Sequence, residues 1–171
     1  MTTRGLDVLK TPVDGAQEPV TLEELKLHLA IDFDDHDTLL ALLLVDAREE
    51  VEKYTGLSLI QSNVTARWES LTSAELPYGP VIGAVTGADD YTLEGVSFRR
   101  LCAGASSPVE VSYLAGYPIE IPAGLKLAII KLASDHFTER TGVKVDGNGI
   151  QVLPNNWKTV AAKYSRKSWL G

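Results

Sequence analysis

The sequence predicts an α+β fold: a small α-helical bundle with an inserted antiparallel β subdomain and an extended C-terminal arm. Apolar residues recur at helical spacing in the first third of the chain and again after Pro122, while the stretch between them alternates apolar and polar residues. The tail then becomes basic and aromatic. The layout these observations predict is an N-terminal arm over 1–19, one domain over 20–142, and a loop with a C-terminal arm over 143–171. Within that domain, helices are expected at about 21–30, 36–55 and 122–141, and the β insertion at about 58–117.

Residues 1–19 hold Gly5, Pro12, Gly15 and Pro19 without a sustained period, which reads as a lead-in arm. Val20-Thr21-Leu22-Glu23-Glu24-Leu25 has the parts of a helix start: Thr21 and Glu24 suit a capping box, and Val20 with Leu25 suits a hydrophobic staple. An acidic turn follows, in which Asp34 or Asp35 is a good N-cap for the second helix and Asp37 suits its positive end. Leu40, Leu44, Ala47, Val51 and Tyr54 recur as one buried face, and Gly56 fits the left-handed stop. Leu39, Leu42 and Leu43 widen that stripe beyond what one small core needs, so they are the expected contact with another subunit.

Beyond Ser58, Val64, Ala66 and Trp68 alternate with Thr65, Arg67 and Glu69, and Val109, Val111 and Tyr113 alternate with Glu110 and Ser112. Five or six short antiparallel strands are expected, with no pairing order implied. Pro122 opens the last long helix, whose buried stripe is Leu125, Ala128, Ile129, Leu132, Ala133 and Phe137, and Gly142 closes it. Residues 143–153 read as a loop or short hairpin, and a short helix is expected to begin at Asn156.

The totals narrow the function classes. A chain of 171 residues, 44% hydrophobic and 23% charged, has the composition of a folded soluble protein. No apolar run nears the roughly 20 residues that span a bilayer, and residues 1–15 lack the apolar core of a signal peptide. A cytosol-like compartment, or a particle assembled there, is the expectation. Cys102 is the single cysteine, so no internal disulfide forms. The net charge of −7 is uneven: residues 1–60 carry 13 acidic and 5 basic side chains, whereas 151–171 carry four basic and no acidic ones. An acidic body argues against binding DNA by counterion release.

Chemistry-bearing motifs are weak. The run from Asp32 to Asp37 fails as a calcium loop, because Asp37 stands where a glycine is needed and Leu43 where a glutamate is needed. His28, His36 and His136 show no ligand spacing and read as surface or boundary residues, and the carboxylates at 23, 24, 49, 50 and 52 read as solvated. No phosphate loop and no nucleophile elbow is present. No catalytic residue, cofactor or metal is therefore expected. The tail is richer, since Trp157, Tyr164 and Trp169 stand among Lys158, Lys163, Arg166 and Lys167. Either Trp157 packs on the body, or these seven residues dock on a neighbour or a larger partner, because exposed Trp, Tyr and Arg make interface hot spots.

Four stretches, in order, resemble the head–tail connector (adaptor, or head-completion) proteins of long-tailed bacteriophages, in the branch with a β insertion. They are VTLEELKLHLAID with DDHDTLLALLLVDAREEVEKYTGLSLI, then LPYGPVIGAV, VEVSYLAGYP, and IPAGLKLAIIKLASDHFTERTG. The family often ends in a Leu-Leu-x-x-Tyr-Arg segment, which Val160–Arg166 matches loosely. The resemblance implies a structural virion protein of the neck: a homo-oligomeric, dodecameric ring that docks on the portal protein and extends the DNA channel. Genomic DNA would pass without sequence-specific binding, and a tail-side stopper or terminator protein would attach below. A tail-completion or terminator subunit, or a non-viral α+β binding or regulatory domain, are the alternatives.

Overall fold

The computed structural model describes residues 4–71, 73–87, 91–96, 98–103, 108–138, 144–146, 149–151 and 156–165. The chain divides into two compact units: one of residues 1–17 and 56–120, the other of residues 18–55 and 121–171. The fold class is the α+β arrangement expected.

The first unit is built of strands. β1 (Arg4–Pro12), β2 (Ser62–Ser70), β4 (Val81–Thr86) and β7 (Val109–Ala115) form a four-stranded sheet in the order β1-β2-β7-β4. β3 (Ser73–Glu75), β5 (Tyr91–Glu94) and β6 (Arg100–Ala103) form a three-stranded sheet in the order β3-β6-β5. Every pairing in both sheets is antiparallel. The alternation read from the sequence sets the inner face. Val64, Ala66 and Trp68 of β2 lie opposite Tyr113, Val111 and Val109 of β7, and all six are buried. On the other face Thr65 and Ser112 share a 3.0 Å hydroxyl hydrogen bond. The Tyr113 hydroxyl accepts the Tyr78 N–H at 3.2 Å, whereas the buried Trp68 indole N–H has no hydrogen-bond partner among the described residues.

Residues 4–12, read from the sequence as part of a lead-in arm, form β1 instead. The strand pairs with β2 across its whole length, Leu6 facing Trp68 and Val8 facing Ala66. Its apolar residues alternate poorly because Leu6 and Leu9 stay 52% and 66% exposed, so burial imposed no pattern on them.

The second unit is helical. α1 (Leu22–Leu29), α2 (Asp37–Thr55), α3 (Ala123–Thr138) and α4 (Asn156–Ala161) pack with α3 against each of the others, and a 3₁₀ turn (Ala162–Tyr164) follows α4. The capping box forms as expected: the Glu24 N–H donates to Thr21 Oγ1 at 3.2 Å, and the Thr21 N–H donates to Glu24 Oε2 at 2.9 Å. Leu40, Leu44, Ala47 and Val51 of α2 and Leu125, Ala128, Ile129, Leu132 and Ala133 of α3 are buried. Tyr54, expected on that face, is 40% exposed, with its ring turned against Trp157. α2 begins at Asp37, two residues beyond Asp35, so neither Asp34 nor Asp35 stands directly before it; Asp34 is held by Lys26. Gly56 takes the expected left-handed conformation at φ 72°. The expected end of α3 at Gly142 lies outside the described residues. Between α3 and α4, β8 (Lys144–Asp146) and β9 (Gly149–Gln151) pair as a hairpin.

Candidate assembly surface

Two faces of α2 have different fates. The inner face carries a buried cation. Arg48 is 5% exposed and Glu52, one turn on, is 3% exposed. Arg48 Nη1 donates to Glu52 Oε2 at 2.9 Å, Nε to both Glu18 oxygens at 3.1 and 2.9 Å, and Nη2 to Glu49 Oε1 at 3.3 Å. Burial alone would pull the guanidinium pKa down; the charges of Glu52, Glu18 and Glu49 overcome that and raise it. Glu52 therefore departs from the solvated role its sequence suggested, because Arg48 four residues earlier supplies the compensating charge. That i,i+4 pair was the readable signal. The cluster clamps the segment entering α1 onto α2, and so fixes the frame on which the outer face is presented.

The outer face carries the leucines. Positions 39, 42 and 43 stand at i, i+3 and i+4, which places them on one strip of the helix. Leu42 is 64% exposed, Leu39 37%, and Leu43 half-buried. In the same unit Leu27 of α1 and Leu127 of α3 also remain exposed.

The acidic turn before α2 is a clamp. Lys26 Nζ donates to Asp34 Oδ1 at 2.7 Å and to Asp37 Oδ1 at 2.8 Å. Hydrogen bonding from Lys26 holds the Asp34 carboxyl below its ordinary pKa, and bonding to Asp34 and then Asp37 raises that of Lys26. Among the described residues no three His, Cys, Asp or Glu side chains converge as a metal site would require. His36 lies edge-on to the rings of Phe33 and Phe137, each 5.5 Å away, and His136 Nδ1 sits 3.3 Å from Asp46 Oδ2.

The tail divides. Trp157 is 2% exposed and meets the Tyr54 ring edge-on at 5.4 Å, so its own unit covers the residue expected to anchor a partner. Its burial follows from the helical turn of α4, which turns the indole inward. Lys158 lies 5.4 Å over that indole, Lys163 is exposed, and Tyr164 is half-buried. Arg166, Lys167 and Trp169 lie outside the described residues.

Residues 19–79 match the family model of phage gp6-like head-tail connector proteins. That segment is similar to the head–tail connector family. It holds the capping box, the acidic clamp, Arg48 and the leucine strip, and it is the family that the quoted motifs resemble. Solved structures share the fold of this chain. The neck of an empty GTA particle computed with C6 symmetry matches at a TM-score of 0.68 and 18% identity, covering 92% of this chain and 95% of that one. A chain from the virion of a native gene transfer agent (GTA) particle matches at 0.65 and 18%, with the same coverage. The neck of a native GTA particle computed with C12 symmetry matches at 0.56 and 22%, covering 88% and 94%. At such identities the likeness is one of fold. No curated protein matches the chain. No helix among the described residues is long and apolar enough to cross a membrane.

Proposed function

We propose that this chain is a structural subunit of the neck of a phage-like particle: a ring-forming connector that docks on the portal, extends the DNA channel and gives the tail its attachment site. The observation that carries the reading is a coincidence on one helix pair. The family match over 19–79 falls on the elements that leave Leu39 and Leu42 uncovered. An apolar strip on a surface helix marks a protein contact. A head-to-tail contact of that kind closes into a ring when its rotation allows, and otherwise grows a filament. Necks of the same fold solved with sixfold and twelvefold symmetry support a ring of twelve. The net charge of −7 suits a subunit beside passing DNA, since like charges repel within a Debye length of about 8–10 Å. A stopper or terminator protein would meet the ring on its tail side.

The test is to incubate the purified protein with portal-bearing, DNA-filled heads and image the vertex. Rings of this protein on the portal are the expected result. Heads that stay bare at saturating protein would overturn the reading.

A further inference from the structure

Seven residues beyond the leucine strip and on the same face, α2 carries Asp46, Glu49, Glu50 and Lys53. With Tyr54, Trp157 and Lys158 these line a groove of about 540 Å³. A smaller hollow, lined by Lys53, Tyr54, Ala162 and Ser165, shares Lys53 and Tyr54 with it. The last described residue, Ser165, lines this second hollow beside Lys53. The groove is graded in charge along α2. Asp46 lies seven residues before Lys53, about 10 Å along the axis, so the carboxylates run from Asp46 through Glu49 and Glu50 and the cation Lys53 follows them beside Tyr54. Glu50 is exposed, and Glu49 keeps 65% of its side chain open even though it touches Arg48.

We propose that this groove receives the basic C-terminal segment Arg166-Lys167-Ser168-Trp169 of a second copy of the chain. Charge complementarity identifies the occupant. Residues 151–171 contain four basic and no acidic side chains, and residues 1–60 hold the acidic excess. Carboxylates beside the exposed Tyr54 ring match a segment that offers two cations and an indole within four residues, through ion pairs and ring contacts. A second copy is favoured over the chain's own tail by the gradient. The chain's own segment follows Ser165, which lines the hollow with Lys53, so a fold-back would set its two cations against a third. A neighbour's tail enters from the acidic end. This contact joins two different patches of the subunit, the arrangement that generates rings. It rests on the connector reading and deepens it by naming what one subunit holds of the next.

The experiment uses full-length chains with Cys102→Ser. One carries Glu50→Cys and the other Lys167→Cys, and they are mixed in equal amounts under mild oxidation with portal-bearing heads present. The expected product is a disulfide-linked pair containing one of each chain, within assembled rings. Its yield should fall several-fold between about 0.1 and 1 M salt, as screening shortens from about 10 to 3 Å. Rings that assemble without the cross-link overturn this contact and leave the connector reading standing. No rings and no cross-link overturn both. When both cysteines sit on one chain, a link that forms within single molecules and survives dilution replaces the second copy with the chain's own tail.

Discussion

Tyr164 is seated against Gly124, and the fit depends on the missing Cβ. A Cβ placed on Gly124 would lie 2.5–2.9 Å from the Tyr164 hydroxyl and ring, closer than real side chains approach. Gly124 is in the first turn of α3 and Tyr164 ends the 3₁₀ turn after α4, so this contact seats that turn on α3. Gly124→Ala should evict the ring. The opposing gain is helix propensity, at most about 1 kcal/mol and smaller in a first turn. A double-mutant cycle resolves the two. Gly124→Ala should be neutral or destabilising in the natural chain and stabilising in a Tyr164→Ala background, with a coupling above about 1 kcal/mol. Additive effects in denaturant unfolding would remove the seat.

Arg48 and Glu52 are buried together, and removing one partner strands the other. Arg48→Met should cost about 3–5 kcal/mol, whereas Arg48→Met with Glu52→Leu should come back to near neutral. Chemical denaturation of the single and double variants checks this, and losses that simply add would contradict a coupled buried pair.

Ala30 ends α1 in the left-handed region, at φ 55° and ψ 42°, with its N–H directed to the carbonyls of Leu27 and Lys26. An alanine in that conformation is strained by about 1 kcal/mol relative to glycine. Ala30 is exposed, so replacement removes little packing. Ala30→Gly should therefore raise stability by about 0.5–1 kcal/mol, less the extra freedom glycine gives the unfolded chain. A lowered unfolding midpoint would show that the cap is not strained.

The Lys26–Asp34 clamp should appear in titration. Asp34 has its pKa depressed in the folded chain, chiefly by the hydrogen bond from Lys26. Its contribution is present above the unfolded carboxylate value and is lost as pH falls through the lower folded value. Lys26→Met should shift the Asp34 midpoint upward, toward an ordinary aspartate, in a carboxylate NMR titration. An unmoved midpoint would mean that the lysine does not hold it.

How much of this was legible varied with how local the cause was. The Thr21–Glu24 capping box, the Gly56 stop and the inward alternation of Val64, Ala66 and Trp68 depend on neighbours within a few residues, and each was readable. β1 was not. Its partner β2 lies more than fifty residues away, and its own leucines face solvent, so no burial pattern marked it. Asp34 read as a cap because short acids before a helix usually are. Its engagement by Lys26, eight residues earlier, exists once α1 and the acidic turn are folded against each other. The fate of Trp157 depended on Tyr54, about a hundred residues away in the chain, and spacing could not supply that pairing.

The leucine strip is the most direct test of assembly. Leu42 is 64% exposed, so replacing it with serine removes little that the folded subunit buries for itself, whereas Leu39, 37% exposed, has most of its surface covered within the subunit. Leu39→Ser with Leu42→Ser should therefore cost the subunit about 1–2 kcal/mol and leave it folded. The surface the two still expose is about that of one leucine, which would contribute about 1.5–3 kcal/mol if buried between copies. Losing both should weaken each subunit contact by about ten- to a hundredfold, since every 1.4 kcal/mol is a factor of ten. Unfolding curves of the free subunit and mass measurement with portal-bearing heads separate the effects. A folded subunit that no longer forms rings is the expected outcome. A variant that unfolds assigns these leucines to the subunit's own core, and one that still forms rings at the natural concentration moves the contact to another face.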